Sequence, residues 1–214
     1  MTTVLNDTHT DFGSLASGET IDRAADALAG HNFEPIVVET KEEALAKIRE
    51  LIPAGASVMN GSSETLREIG YIDLLKSGTH GWNNLHDAIL AEKDPAKQAQ
   101  LRRQSVLSDY YLGSVHALTE TGELVIASNS GSQLPHIAYT SPNLIFVVGA
   151  QKIVPTLADA LRRVEAYVVP LEDQRMKSVY GYGTVYAKTL VLRQENTAIG
   201  RTVRVIIVSE SLGF

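Results

Sequence analysis

Apolar residues recur along this chain with two different periods. Over residues 20–30, Ile21, Ala24, Ala25 and Leu28 repeat every three to four positions, which predicts a helix with one buried side. KEEALAKIRELI (41–52) repeats that pattern through Leu45, Ile48, Leu51 and Ile52. PIVVE (35–39) and ASVMN (56–60) are short apolar runs and predict buried strands. SSETLREIG (62–70) predicts a helix that stops at Gly70, and residues 83–93 predict another. Asp94 and Pro95 open a third, with aspartate as N-cap and proline in the first helical position. Residues 114–119, 123–127, 144–149, 184–193 and 203–209 read as strands. A helix over 154–164, built on Val154, Leu157, Leu161 and Val164, falls among them.

Most of these strands are too apolar to keep one wet face. Alternating with helices, they predict an α/β sheet covered on both sides. Residues 1–18, rich in Thr, Ser, Gly and Asp and without periodicity, predict a flexible or loosely docked tail ahead of a single domain over 19–214.

Composition narrows the function classes. The chain is 44% hydrophobic and 21% charged, which fits a soluble globular protein with a proper core. Its net charge is -6 and no basic block stands out, which argues against nucleic acid or an anionic membrane as partner. Cysteine is absent, so disulfides, thiol catalysis and an iron–sulfur cluster held by this chain alone are excluded. The N-terminus is polar, and no apolar run reaches the roughly 18 residues of a membrane span, so a cytoplasmic protein is expected. The six histidines lack metal-ligand spacing, so no metal centre is expected. His116 reads as a sheet residue, whereas His136 follows Pro135 in a loop and is placed to line a site. No GxSxG occurs, which leaves no basis for a serine triad.

In covered α/β sheets, ligands bind beyond the carboxyl ends of the strands. Three strand exits carry suitable residues. In VMNGSSET, Asn60, Gly61, Ser62, Ser63 and Thr65 lead into a helix start, where backbone N–H groups and hydroxyls hold phosphate or carboxylate. The same residues also read as a helix cap, since Thr65-Leu66-Arg67-Glu68 fits a capping box. Ser128, Ser130, Gly131, Ser132 and Gln133 form a polar loop that reads as a pocket wall or as ordinary surface. Gln151 and Lys152 follow LIFVVG, where lysine either neutralises an anion or stands solvated before a helix. Glu120, in ETG at a hairpin tip, reads as a turn residue or as a nucleophile or general acid/base.

Several blocks resemble the LUD (lactate utilisation) domain of the LutC/YkgG type. They are SDYYLGSVHALTETGELVIASNSGSQLP, LIFVVGAQKIVPTLADALRRV, PLEDQRMKSVYGYGTVYAKTLVL and GRTVRVIIVSESLGF, with VMNGSSETLREIG nearer the start. Together they span roughly residues 20–214. The resemblance implies a Rossmann-like three-layer sandwich with a mostly parallel mixed sheet, of the NagB/RpiA/CoA-transferase type. It implies a cluster-free subunit or accessory protein of lactate (2-hydroxy acid) utilisation that binds a small carboxylate or phosphate beside an iron–sulfur partner subunit. It also brings in Glu172, Asp173 and Arg175 of LEDQR, and Lys188, which exposed charged loops explain as well. Two alternatives stay open. One is a stand-alone enzyme of the CoA-transferase or sugar-phosphate-isomerase kind, with Glu120 as the chemical residue and a CoA ester as one substrate class. The other is a non-catalytic ligand-binding protein. Assembly with further copies of the chain stays open too.

Overall fold

The computed structural model describes residues 11–214. Most of its helices begin where the sequence supplies a side-chain cap. Ser17 accepts from Thr20 N–H ahead of α1 (Gly18–Gly30). After β1 (Glu34–Val38), Thr40 and Glu43 close the start of α2 (Lys41–Leu51) with reciprocal bonds. β2 (Ser57–Asn60) runs into α3 (Glu64–Glu68), and Gly70, at φ 82°, separates α3 from α4 (Tyr71–Ser77). β3 (Asn83–Asn84), α5 (Leu85–Ala91) and α6 (Pro95–Gln104) come next, the last capped by Asp94. Then follow β4 (Tyr110–Gly113), β5 (Ala117–Thr119), β6 (Leu124–Ser128), β7 (Asn143–Gly149) and β8 (Ile153–Val154). The order ends with α7 (Leu157–Arg163), α8 (Val169–Tyr180), β9 (Lys188–Leu192) and β10 (Thr202–Val208).

Six strands form one parallel sheet in the order β1-β10-β7-β4-β2-β3. Central β7 is buried from Leu144 to Gly149 because both sheet faces are covered. On one face Val58, Leu112, Ile145, Val147 and Ile206 pack against Ile48 of α2, Leu66 of α3 and Leu74 of α4. On the other, Phe146, Val148, Val205 and Ile207 meet Ala24 and Leu28 of α1 and Leu118, Leu124 and Ile126 of β5 and β6. This is the covered α/β sheet expected from the alternation of helices and strands, in the Rossmann-like layered arrangement that the family resemblance implies.

The antiparallel pairing is confined to a second sheet, β8-β5-β6-β9. β5, β6 and β8 are buried on both faces because they form an inner layer, whereas β9 lies at the more exposed edge. One face joins the main core, and the other sets Ala117, Val125 and Val154 against Ala160 of α7 and Val164. The strands expected over 114–127 and 184–193 belong here rather than beside β7.

Three local expectations are corrected. Val154 pairs with Thr119 in β8, and the helix begins three residues later behind Thr156, whose hydroxyl accepts from Asp159 N–H. Ser63, not Thr65, caps α3; the Thr65 side chain is buried and bonded elsewhere. LEDQR lies in α8 rather than in a loop. Between α7 and α8 the helix continues through a π turn, Val164–Val168, in which Val169 N–H reaches Val164 O. Pro170 supplies the cause. It has no N–H to donate four residues back, and its ring crowds that carbonyl, so the ladder slips by one residue instead of breaking.

Of the expected N-terminal tail, residues 1–10 lie outside the described residues. Phe12, beyond them, is docked: its carbonyl accepts from Arg163 and its ring lies 6.4 Å from that of Tyr167.

Candidate functional site

A cleft of about 620 Å³ opens where β2, β4, β6 and β7 end. It gathers eleven of the residues named from sequence: Gly61, Ser62, Ser63 and Thr65; Ser128, Ser130, Ser132 and Gln133; Lys152; and Glu172 with Arg175. The first group follows β2, the second follows β6, Lys152 follows β7, and the last pair projects from α8. Residues from all three strand exits named from sequence therefore line one cleft, whereas Asn60, Glu120, Gly131 and Gln151 do not.

Lys152 is the chemically distinctive member. The side chain is only 2% exposed, yet it lines the cleft. Its Nζ donates to Thr65 Oγ1 at 2.8 Å and to Ser114 Oγ at 3.1 Å. Among the described residues no carboxylate lies within ion-pair distance of it. Burial, reinforced by the Arg163 charge and opposed by Glu68, pushes the amine down to about 7. Arg163 is itself wholly buried, donates to the carbonyls of His116 and Phe12, and lies 5.1 Å from the Tyr167 ring. Burial also pushes His116 down to about 3, with Lys152 and Arg163 adding to the effect. His116 Nδ1 accepts from Ala127 N–H at 3.0 Å, so the neutral ring carries its proton on Nε2.

Gln151 does not line the cleft. It fixes the last residues over Lys152: Nε2 donates to Leu212 O and Gly213 O, and Oε1 accepts from Leu212 N–H. Glu68 adds a bond from Gly213 N–H at 2.7 Å, and the Thr65 hydroxyl donates to Leu212 O.

The other segments have more structural roles. α3 has five residues and begins with Glu64, so an acidic side chain occupies the helix start that the sequence offered either to an anion or to a cap. Arg175 donates to both oxygens of Glu172 at 2.7 Å and reaches Glu64 at 3.8 Å, tying α8 to α3; these carboxylates raise its pKa. In the 128–133 loop, Ser128 Oγ donates to Gln133 Oε1 and accepts from Gly131 N–H, while Gln133 Nε2 donates to Ala127 O. Much of this loop's hydrogen-bonding capacity is spent on its own shape.

Several named residues lie off the cleft lining. Asn60 Oδ1 faces His86 Nδ1 at 3.3 Å. Lys188 packs over Gly131 and donates to Asn129 O. Asp173 pairs with Lys177 and accepts from Thr184 N–H. Glu120 receives Arg23 Nε and Nη2 at 3.0 and 2.9 Å, joining the β5–β6 turn to α1. His136 lies behind Tyr111, stacked on it at 4.5 Å, with Nδ1 near the Ser141 and Ser108 hydroxyls.

The sequence reading missed Ser114, Tyr111, Arg102 and the aromatic rim of Tyr180, Tyr182 and Tyr186, all of which line the cleft. Ser114 had a usable signal, since it directly follows the apolar YYLG of β4. Gly61 permits the close approach of Tyr111, because a Cβ there would stand 2.6 Å from the tyrosine hydroxyl. Among the described residues no group of three or more His, Asp or Glu side chains is placed to hold a metal ion. Among the described residues no helix is long and apolar enough to cross a membrane.

Comparisons with known proteins agree with this architecture. The crystal structure of a DUF162 family protein from Deinococcus radiodurans superposes with a TM-score of 0.54 at 14% identity, over 91% of this chain and 98% of that one. At that identity the likeness speaks for the fold alone. No curated protein matches the chain. The model of the LUD domain matches residues 21–208, from α1 to the end of β10, and the chain belongs to the LUD-domain family, which is associated with lactate utilisation.

Proposed function

We propose that the cleft binds a small 2-hydroxy or 2-oxo acid, with Lys152 facing the ligand's C2 oxygen. In this reading the protein serves 2-hydroxy-acid utilisation in the cytoplasm as a cluster-free subunit or accessory protein, beside a partner that carries the iron–sulfur centres. The observation behind it is the buried Lys152 amine, which lines an open cleft without a carboxylate partner among the described residues. A buried amine so placed gains from an oxygen-rich ligand in either protonation state, as acceptor from a hydroxyl when neutral or as counter-charge to an anion when protonated. The cleft volume lies in the range of small-molecule sites. The family's association with lactate utilisation and the absence of cysteine favour an acid-binding role without electron storage. Glu120 has no part in this reading.

Isothermal titration calorimetry with lactate and pyruvate tests it. Saturable binding of at least one acid is expected, weakened tenfold or more in Lys152→Met and unaltered in Glu120→Gln. Absence of binding to the wild-type protein, or unchanged affinity in Lys152→Met, would refute the proposal.

A further inference from the structure

We propose that Lys152 captures a small 2-oxo acid covalently, as an imine at its Nζ. This deepens the acid-binding reading and rests on it for the ligand class. The argument starts from the hydrogen-bond inventory around Nζ. Thr65 Oγ1 and Ser114 Oγ both accept from the amine. Each hydroxyl proton is already committed, that of Thr65 to Leu212 O and that of Ser114 to Val115 O, each at 3.2 Å. A hydroxyl has one hydrogen, so neither can donate back to nitrogen. A neutral amine has two hydrogens and one lone pair. The two hydroxyl acceptors account for the hydrogens, and the lone pair is left uncovered beside the cleft that Lys152, Thr65 and Ser114 all line.

The surroundings favour the neutral form. No carboxylate among the described residues pairs with Nζ, the side chain is removed from water, and the buried Arg163 guanidinium adds a fixed positive charge to the region. Desolvation together with a neighbouring cation is an established way to make a lysine nucleophilic near neutral pH. A lysine kept only for structure would gain more from a carboxylate, or from being methionine.

The chemistry balances without an oxidant or reductant. The Nζ lone pair forms a bond to the ketone carbon, and the carbonyl π pair moves to oxygen. That oxygen takes a proton from nitrogen to give a carbinolamine. The C–O bond then breaks, the oxygen leaves as water with a second proton from nitrogen, and the C=N bond forms. The net change is amine plus ketone to imine plus water. A 2-hydroxy acid has no carbonyl at C2 and stops at non-covalent binding.

The test is reductive trapping of the full chain. The protein is incubated at neutral pH with sodium pyruvate and then sodium borohydride, with sodium lactate in a parallel arm, and calorimetry is run on the same preparation. One reduced pyruvyl group per chain is expected, mapped to Lys152 by peptide mass spectrometry and absent with lactate. Lys152→Arg should lose the adduct while keeping its far-UV circular dichroism. Saturable pyruvate binding with no adduct at Lys152 overturns the imine and leaves the acid-binding reading standing. Neither binding nor adduct overturns both. Adducts spread over exposed lysines with Lys152 unlabelled also overturn the imine.

Discussion

Replacing Lys152 by methionine should make the protein more stable at neutral pH. The wild-type amine titrates near 7 in the folded chain against an ordinary value of 10.5. Between those two values the unfolded chain holds a proton that the folded chain has released. Stability is therefore free of this penalty above about pH 10.5, falls as pH drops towards 7, and levels off below that. Integrated, the penalty at pH 7 is on the order of 4 kcal/mol. Methionine removes it and forfeits two hydrogen bonds, worth about 1 kcal/mol each. Neither hydroxyl is orphaned, because Thr65 still donates to Leu212 O and Ser114 to Val115 O. The net expectation is a gain of about 2 kcal/mol at pH 7, shrinking to nothing near roughly pH 9 and reversing above it. Urea denaturation of both proteins from pH 6 to 10 reads this directly. A variant less stable than wild type at pH 7, or a difference that does not change with pH, would refute the account of Lys152 as a strained, neutral amine.

Three further outcomes follow from the same structure. Glu120→Gln should cost less than about 1 kcal/mol in urea unfolding, because the Arg23 and Glu120 side chains are 54% and 26% exposed. Gly122→Ala should cost about 2 kcal/mol or more by the same measurement: Gly122 sits at φ +88°, and a Cβ would stand 2.9 Å from both the Ala27 carbonyl carbon and His31 Nδ1. Burial pushes His136 down to about 4 from an ordinary 6.5, so the unfolded chain binds the extra proton between those values and stability is lost as pH falls through that window. His136→Asn should flatten this acid limb in a thermal-melt series; an unchanged slope would contradict the assignment.

Much of the architecture is legible in the sequence because it follows from local rules. The apolar faces of α1 and α2, the Asp94-Pro95 start of α6 and the apolar run of β7 all sit close to where the sequence pattern puts them. The convergence of residues 61–65, 128–133 and Lys152 followed from one topological rule about strand exits. Long-range competition hid the rest. Pattern alone does not reveal that β5, β6 and β8 belong to a sheet of their own, since an inner layer is as apolar as the main one. A proline within a helix ordinarily breaks or kinks it, and only the continuous helix around Pro170 makes the outcome a π turn. The role of Lys152 depends on which partners surround it. Before folding it is as ordinary as Lys188; afterwards it is buried between two hydroxyls whose own protons are spoken for.

The π turn at Val164–Val168 also sets a phase. It accommodates one residue more than an uninterrupted α-helix would, and each residue rotates the helix by about 100°. α7 is fixed against the small sheet through Ala160, so the rotation is taken up downstream by α8. Glu172, Arg175 and Met176 face the cleft at the present phase. Deleting a single residue here would leave both helices long enough and apolar enough to fold, yet turn this wall of the cleft about a quarter of the way round. Insertions and deletions at this joint thus act as an angular adjustment, able to present a different set of α8 side chains to the ligand while the sheets and Lys152 stay where they are.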